Sequence, residues 1–279
     1  MMKLPPQHLI AANVAVALNE DIGDCDWTAQ LIPASQTAKA KIVLRENAVI
    51  CGQAWFNEVF RQIDASVVVN WKVQEGQYVI KDNVICELEG NTQALLTAER
   101  SALNFLQTLS AVATVTRQYA EVVAGTSAVV HDTRKTIPGL RRAQKYAVTV
   151  GGGANQRIGL YDGILIKENH ILAAGSIANA LATAREIAPS NVTVQVEVEN
   201  LHELEQALAA GATSILLDNM SLTEMKHAVE CAEGKAILEA SGGVDLTTLR
   251  AIAETGVQRI SIGKLTKDVV AIDLSMRLI

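Results

Sequence analysis

Residues 191–264 read NVTVQVEVENLHELEQALAAGATSILLDNMSLTEMKHAVECAEGKAILEASGGVDLTTLRAIAETGVQRISIGK, and their rhythm decides the fold. Apolar runs at Val192–Val198, Ser214–Leu217, Ala236–Leu238 and Arg259–Ile262 alternate with helical spacing at Leu201–Ala210, Leu222–Ala232 and Leu246–Glu254. The last three runs recur about every 22 residues, the length of a short strand–helix unit. Upstream, Ala128–His131 and Ile164–Ile166 are runs of the same kind, and Ile177–Ile187 is a further helix. Strand and crossover helix repeated in this way imply a parallel sheet, and units this short can close into a barrel. An open doubly wound sheet is the alternative, but no GxGxxG follows the first strand.

The first hundred or so residues have a different rhythm. Gln7–Leu18 is helical and broken at Asn19–Gly23, Lys39–Ile50 alternates like a strand, and Phe56–Ile63 returns to helical spacing. Val67–Val73, Tyr78–Ile80 and Val84–Leu88 read as short strands between Gly, Asn and Asp turns. Gln93 to Ala124 is a long helix with an interruption expected near Ser110. This is a mixed α+β domain with a long helix leading out.

Composition sets the outer bounds. The chain has 279 residues, 49% hydrophobic and only 4% aromatic, so a sizeable core must be built from Ala, Val, Leu and Ile. A net charge of −6 argues against nucleic acid or an anionic membrane as partner. No apolar stretch reaches the ~18 residues that a spanning helix needs. Lys3, His8, Asn13, Glu20 and Asp21 interrupt the N-terminal region, so no signal peptide is expected. Cys25, Cys51, Cys86 and Cys231 form neither a close pair nor a metal-ligand spacing, which predicts reduced thiols and a cytoplasmic protein.

Every apolar run of the second half ends in polar residues: Asp132–Lys135, Lys167–His170, Glu197–Asn200, Asp218-Asn219, Glu239–Gly243 and Ser261–Lys264. In a β/α barrel the C-terminal strand ends share one mouth, so these segments converge on a candidate site. Between His131 and Lys167 seven basic residues (Arg134, Lys135, Arg141, Arg142, Lys145, Arg157, Lys167) stand against Asp132 and Asp162. Arg141 and Arg142 suit a solvated helix face equally well. Arg134, Lys135 and Lys167 directly follow strands, and cations grouped at a mouth call for an anion. Gly151–Gly153 and Ser241–Gly243 suit either turns or backbone cradles for phosphate. The second, followed by a helix near Leu246 and flanked by Gly263-Lys264, is the better cradle. Glu197 and Asp218 end adjacent strands and could be ion-pair partners, a hard-cation site for Mg²⁺, or paired glycosidase acids; the basic excess disfavours the last.

The string HDTRKTIPGLRRAQKYAVTVGGGANQRIGLYDGILIKENHI (His131–Ile171) resembles the quinolinate phosphoribosyltransferase family. The resemblance continues through Glu20–Asp24 with Thr28, Glu99–Phe105, Val196–Asn200, Leu216–Asn219 and Ser241–Gly243, and so covers nearly the whole chain. It implies an N-terminal α+β open sandwich over 1–112, an incomplete (β/α) barrel over 113–267 with its site at the C-terminal strand ends, and a tail over 268–279 packing back on the first domain. The implied reaction joins quinolinate to phosphoribosyl pyrophosphate, giving nicotinate mononucleotide, pyrophosphate and CO₂ for NAD synthesis. Arg134, Arg157 and Lys167 are the implied quinolinate cations, with Gln156 beside them and Arg100 supplied by the neighbouring subunit of a homodimer. Lys135, Glu197 and Asp218 form the implied phosphoribosyl pyrophosphate and Mg²⁺ group. Thr133, Ser241, Gly242, Gly243, Ile262, Gly263 and Lys264 complete the substrate-binding set. No protein nucleophile is required, since the pyridine nitrogen attacks, and no organic cofactor is expected.

One position departs from the family pattern. Gln156 stands where the family reads histidine in Gly-Gly-Gly-x-x-His-Arg. Gln keeps an N–H donor but carries no charge, so Gln156→His is expected to lower the quinolinate KM. His170 is expected to orient neighbouring side chains, and His202 and His227 to lie on helix surfaces. Two rivals stay open: a phosphoribosyltransferase with another aromatic acceptor, and a non-catalytic module, because Val73–Val84 resembles the turn of a lipoyl- or biotinyl-type hammerhead.

Overall fold

The structure, a computed structural model, describes residues 3–279 and divides into two compact units. The first holds the residues up to Arg117 together with Ile137–Gly152 and Lys267–Ile279; the second holds Gln118–Thr136 and Gly153–Thr266. The expected barrel domain of 113–267 therefore gives up 113–117, 137–152 and Lys267. Arg141, Arg142 and Lys145 leave with the second of these segments, so the basic stretch read from the sequence is shared between two units.

In the first unit, helix α1 (Gln7–Ile22) precedes strands β1 (Thr37–Leu44) and β2 (Ala48–Val49), helix α2 (Gln53–Ile63), and strands β3 (Val68–Trp71), β4 (Tyr78–Val79) and β5 (Val84–Asn91). Helix α1 runs four residues beyond Leu18 and stops where Gly23 takes φ +55°. Helix α3 (Thr92–Val122) follows without the interruption expected near Ser110. The Ser110 hydroxyl, fully buried, accepts from Cys51 N–H at 3.0 Å and donates to Cys51 C=O at 3.2 Å, so it leaves its own helix undisturbed. The sheet order is β12-β1-β5-β3, where β12 (Leu274–Leu278) pairs antiparallel with β1. Strand β4 pairs with β2 and not with β5, so Val73–Val84 does not form the hairpin of a lipoyl-type module.

The second unit carries six parallel strands: β6 (Val129–His131), β7 (Gly163–Ile166), β8 (Thr193–Val198), β9 (Ser214–Asp218), β10 (Ile237–Ser241) and β11 (Arg259–Ser261). They fall on the six apolar runs, because strands covered on both faces are apolar throughout. Helices α5 (Glu168–Ala174), α6 (Ile177–Ile187), α7 (Leu201–Ala209), α8 (Leu222–Ala232), α9 (Leu249–Ala253) and α10 (Lys264–Lys267) alternate with them. Helix α4 (Arg141–Val150), between β6 and β7 in the chain, belongs to the first unit. The order β7-β8-β9-β10-β11-β6 steps one way and sets the first strand beside the last, as barrel closure requires and a doubly wound sheet does not. Among the described residues no ladder joins β6 to β7. Ala154 lies against that side of β6, donating to Val130 C=O at 2.8 Å and accepting from Asp132 N–H at 3.1 Å. The barrel is incomplete at this one place. No helix among the described residues is long and apolar enough to cross a membrane, and all four cysteines are free.

Candidate active site

The polar strand ends of the second unit converge as parallel strands must make them. After β6, Thr133 Oγ1 accepts from Lys135 N–H at 3.1 Å, and Lys135 C=O accepts from Thr266 Oγ1 at 2.8 Å. Gly263, after β11, lies so close that an added Cβ would stand 3.1 Å from Lys135 Cδ and 3.6 Å from Thr133 Oγ1. Thr133, Lys135 and Gly263 thus form one cluster. Lys264 opens α10 beside it and is exposed. Ile262 differs from expectation: it is 1% exposed and its N–H is bonded to His131 C=O at 2.9 Å, so its side chain belongs to the core.

Arg134 and Arg157 come together from separate segments. Arg157 Nη1 donates to Gly163 C=O at 2.9 Å, and its loop is fastened by Asp162, which accepts from Ile158 N–H and Gly159 N–H, both at 2.8 Å. Partial burial holds the Arg157 guanidinium below its ordinary pKa, the Arg134 charge pushes it the same way, and Asp162 opposes both. Two guanidinium groups near enough to feel each other's charge are a place for a multiply charged anion.

Lys167, at the end of β7, contacts Glu197 of β8 at 2.5 Å. His170 Nδ1 accepts from Lys167 N–H at 3.0 Å and so closes the first turn of α5 on the residue that carries the ammonium. Asp218 ends β9, next to β8 in the sheet, and accepts from Asn219 Nδ2 at 3.0 Å. Asn219 takes φ +54° and donates its N–H to Ser241 C=O at 2.9 Å. Gly242 follows at φ +107°, and a Cβ there would fall 2.0 Å from Asn219 Oδ1, so only glycine fits. Crowding of carboxylates is felt nearby: Glu168, with Glu203, Asp218 and Glu197 behind it, raises the pKa of Glu199.

Two expectations about glycine need correction. Helix α9 begins at Leu249 and not near Leu246, because Asp245 takes the N–H groups of Thr247 at 2.9 Å and Thr248 at 3.1 Å. Any phosphate cradle here consists of Gly242 and Gly243 themselves, both exposed, without a helix N-terminus behind them. Gly151 is a packing residue of the first unit: a Cβ would stand 2.5 Å from Ala113 C=O and 2.6 Å from Thr116 Cβ on α3.

Gln156 also departs from its expected role. Its side chain is engaged by buried groups, with Nε2 at 2.5 Å from each oxygen of Glu239 and 3.2 Å from Gln195 Oε1. Glu239 stands among the polar strand ends without a role and Gln195 within an apolar run, yet the sequence carries a signal for both. Gln195 lies two residues before Glu197 and Glu239 two before Ser241, so each shares a strand face with a site residue, one layer deeper. Arg100 lies on α3 in the first unit and is exposed.

Known proteins share this sequence pattern and fold. The quinolinate phosphoribosyl transferase C-terminal domain family matches residues 112–277, and its N-terminal domain family matches residues 26–110. A probable nicotinate-nucleotide pyrophosphorylase [carboxylating] from Bacillus subtilis is 43% identical over 257 residues, covering 92% of this chain and 89% of its own. The corresponding Synechocystis protein is 40% identical over 282 residues, covering 100% and 96%. The solved structure of the nicotinate-nucleotide pyrophosphorylase from Francisella tularensis superposes with a TM-score of 0.96 at 46% identity, covering 99% of this chain and 98% of that one. With both domain families matched in succession over residues 26–277 and the fold shared, the chain belongs to the quinolinate phosphoribosyltransferase family, enzymes of NAD biosynthesis.

Proposed function

We propose that this site binds quinolinate beside phosphoribosyl pyrophosphate and Mg²⁺, and that the residues of the barrel mouth divide the work as follows. The pairing of Arg134 with Arg157 carries the reading. Two adjacent carboxylates on one aromatic ring match two converging guanidinium groups, each able to form a planar fork. Lys167 adds a third cation. Through its 2.5 Å contact with Glu197 it also joins the acceptor site to the carboxylate side of the mouth. Lys135, with Thr133 and Gly263 around it, receives the pyrophosphate, and Ser241 with Gly242 and Gly243 faces the 5′-phosphate.

Glu197 and Asp218 are hard oxygen donors on neighbouring strands. Among the described residues no group of three or more His, Cys, Asp or Glu could hold a metal alone. That donor set fits Mg²⁺, which takes one or two carboxylates and completes its shell with water and phosphate. When bound there, Mg²⁺ supplies positive charge to the pyrophosphate oxygens.

The ring nitrogen lone pair forms the bond to the ribose carbon, and the carbon–oxygen bond to pyrophosphate breaks with its electron pair going to the leaving group. Lys135 meets that growing negative charge. Arg134, Arg157 and Lys167 hold the ring in line and thereby supply much of the acceleration through orientation. The nitrogen is now cationic and draws in the electron pair of the adjacent carbon–carboxylate bond. CO₂ departs, and a solvent proton takes its place on the ring carbon.

The test is a coupled assay with purified protein, phosphoribosyl pyrophosphate, Mg²⁺ and quinolinate, following CO₂ and nicotinate mononucleotide, with nicotinate as control acceptor. Product from quinolinate alone, lost on chelation and restored by Mg²⁺, is the expected result. Mg²⁺-dependent binding of phosphoribosyl pyrophosphate without product from quinolinate would assign the site to another acceptor.

A further inference from the structure

The reaction as proposed leaves the buried carboxylate of Glu239 in the barrel interior unused. Glu239 is 0% exposed and accepts from Gln156 Nε2 at 2.5 Å, from Gln195 Nε2 at 2.9 Å, and from the Ser261 hydroxyl. Gln195 and Ser261, each 7% exposed, come from β8 and β11, so the carboxylate gathers donors from three separate segments of the barrel. A buried carboxylate is tolerated only when so supplied. Asp132, also 0% exposed, grips the same loop elsewhere: it accepts from Gln156 N–H at 2.9 Å and from Asn155 Nδ2 at 2.5 Å. Residue 156 is thus held through its backbone by one buried carboxylate and through its side chain by another. Arg157 is the next residue, and its N–H lies 3.3 Å from Gln156 Oε1.

We propose that Glu239 is a positioning residue for the acceptor site: by holding the Gln156 amide inward, it fixes the turn from which Arg157 presents its guanidinium to the acceptor carboxylates. The proposal rests on the function given above and deepens it. It also reassigns Gln156. The amide N–H groups are directed to Glu239 and Gln195, so Gln156 acts through Arg157 and is not itself a donor to the substrate.

Glu239→Gln is the discriminating variant because it keeps side-chain volume. Gln156 Nε2 faces both carboxylate oxygens, so whichever oxygen becomes NH₂, a donor confronts a donor. With the NH₂ on the Ser261 side, the hydroxyl reverses its role and Gln195 keeps its oxygen, while Gln156 loses one of its two acceptors, meets a donor in its place and must share the remaining oxygen with Gln195. The quinolinate KM is then expected to rise about fivefold to tenfold, while the KM for phosphoribosyl pyrophosphate stays within about twofold. Gln156→Met, which removes the same link from the other end, is expected to give the same split. Ser261→Ala spares the link and should leave the quinolinate KM within about twofold. Deuterium exchange should quicken in the peptide covering 153–160 of Glu239→Gln and not in 259–264.

An unchanged or lowered quinolinate KM would mean that the Gln156 amide merely flips, and the proposal would fall. It would fall equally if both KM values rose together, which is what a loosened barrel produces. Should the wild-type protein turn over no quinolinate, the functional reading alone fails. The exchange measurement then still decides the grip, and unchanged exchange over 153–160 would overturn it.

Discussion

At the scale of single residues, the side chain at position 156 decides how the buried Glu239 carboxylate is met beneath the acceptor cations. Gln156 brings no positive charge, and its polar hydrogens are committed to Glu239 and Gln195. An imidazole placed there would stand beside the Glu239 carboxylate, which favours the protonated ring and raises its pKa. The expected result for Gln156→His is a quinolinate KM lowered about threefold to fivefold, because a protonated ring offsets the buried Glu239 charge that otherwise opposes the acceptor cations. The sign with pH follows. A raised pKa keeps the ring charged to higher pH, so the gain is complete in acid and disappears as pH rises through the raised value. KM profiles from about pH 6 to 9 check this against the reference imidazole near 6.5. Adding Glu239→Gln should pull the transition back toward that reference; a gain that stays constant to the top of the range would show that charge is not its source.

At the scale of elements, close approach and side-chain anchoring hold the first unit together. Gly151 lets the end of α4 meet α3, and an alanine there would press on Ala113 C=O and Thr116 Cβ, atoms of a rigid helix. Gly151→Ala is expected to cost about 1–3 kcal/mol, read as a lowered midpoint in thermal or urea unfolding. Glu58 on α2 is 2% exposed and accepts from Arg61 Nε and Nη2, both at 2.6 Å, from Gln62 at 2.7 Å, and from Gln7 of α1 at 2.8 Å. The Arg61 bonds lead in lowering its pKa, against the cost of burial. A depressed carboxylate pKa contributes stability above the ordinary range and loses it as pH falls through the lowered value. Glu58→Gln should therefore unfold more easily at pH 7, and its deficit should close below about pH 4. A deficit independent of pH would mean that packing, not charge, is what the carboxylate contributes.

These elements also show where sequence reading reaches its limit. Six strands were legible because both faces of each are covered, so apolar residues cluster without alternation. The continuity of α3 was not, since the partner of Ser110 is Cys51, 59 residues away, and no local pattern reports it. The start of α9 was misread because Asp245 satisfies the first N–H groups in a turn that resembles a helix start. Gly151–Gly153 and Ser241–Gly243 look alike as strings, yet Gly151 accommodates a helix and Gly242 accommodates the Asn219 side chain. The candidate site was legible in part as polar strand ends, while the roles given to Arg157, Gln156 and Arg100 came from the family resemblance. The layer beneath them, Gln195, Glu239 and Ser261, needed the three-dimensional register before its polar character had a purpose.

At the scale of the whole molecule, the open question is whether one chain completes the acceptor site. The proposed acceptor cations Arg134, Arg157 and Lys167 belong to the second unit, while Arg100 belongs to the first and is exposed. If Arg100 serves the neighbouring subunit of a homodimer, two inactive variants can repair each other. Arg100→Ala lacks only the cation it would lend, and Lys135→Ala lacks only the group that would receive pyrophosphate in its own site. In a hybrid dimer, one site combines both defects and the other has neither. Random exchange makes about half of the dimers hybrids with one intact site of two, so about a quarter of wild-type activity should return on mixing. Partial unfolding and refolding of the mixture allows exchange, and size-exclusion chromatography with light scattering verifies the dimer. Activity that remains at the sum of the separate variants would place Arg100 in its own chain's site or outside the reaction. A return near one quarter would instead require the partner's arginine, and every active site would then be built from two copies of the chain.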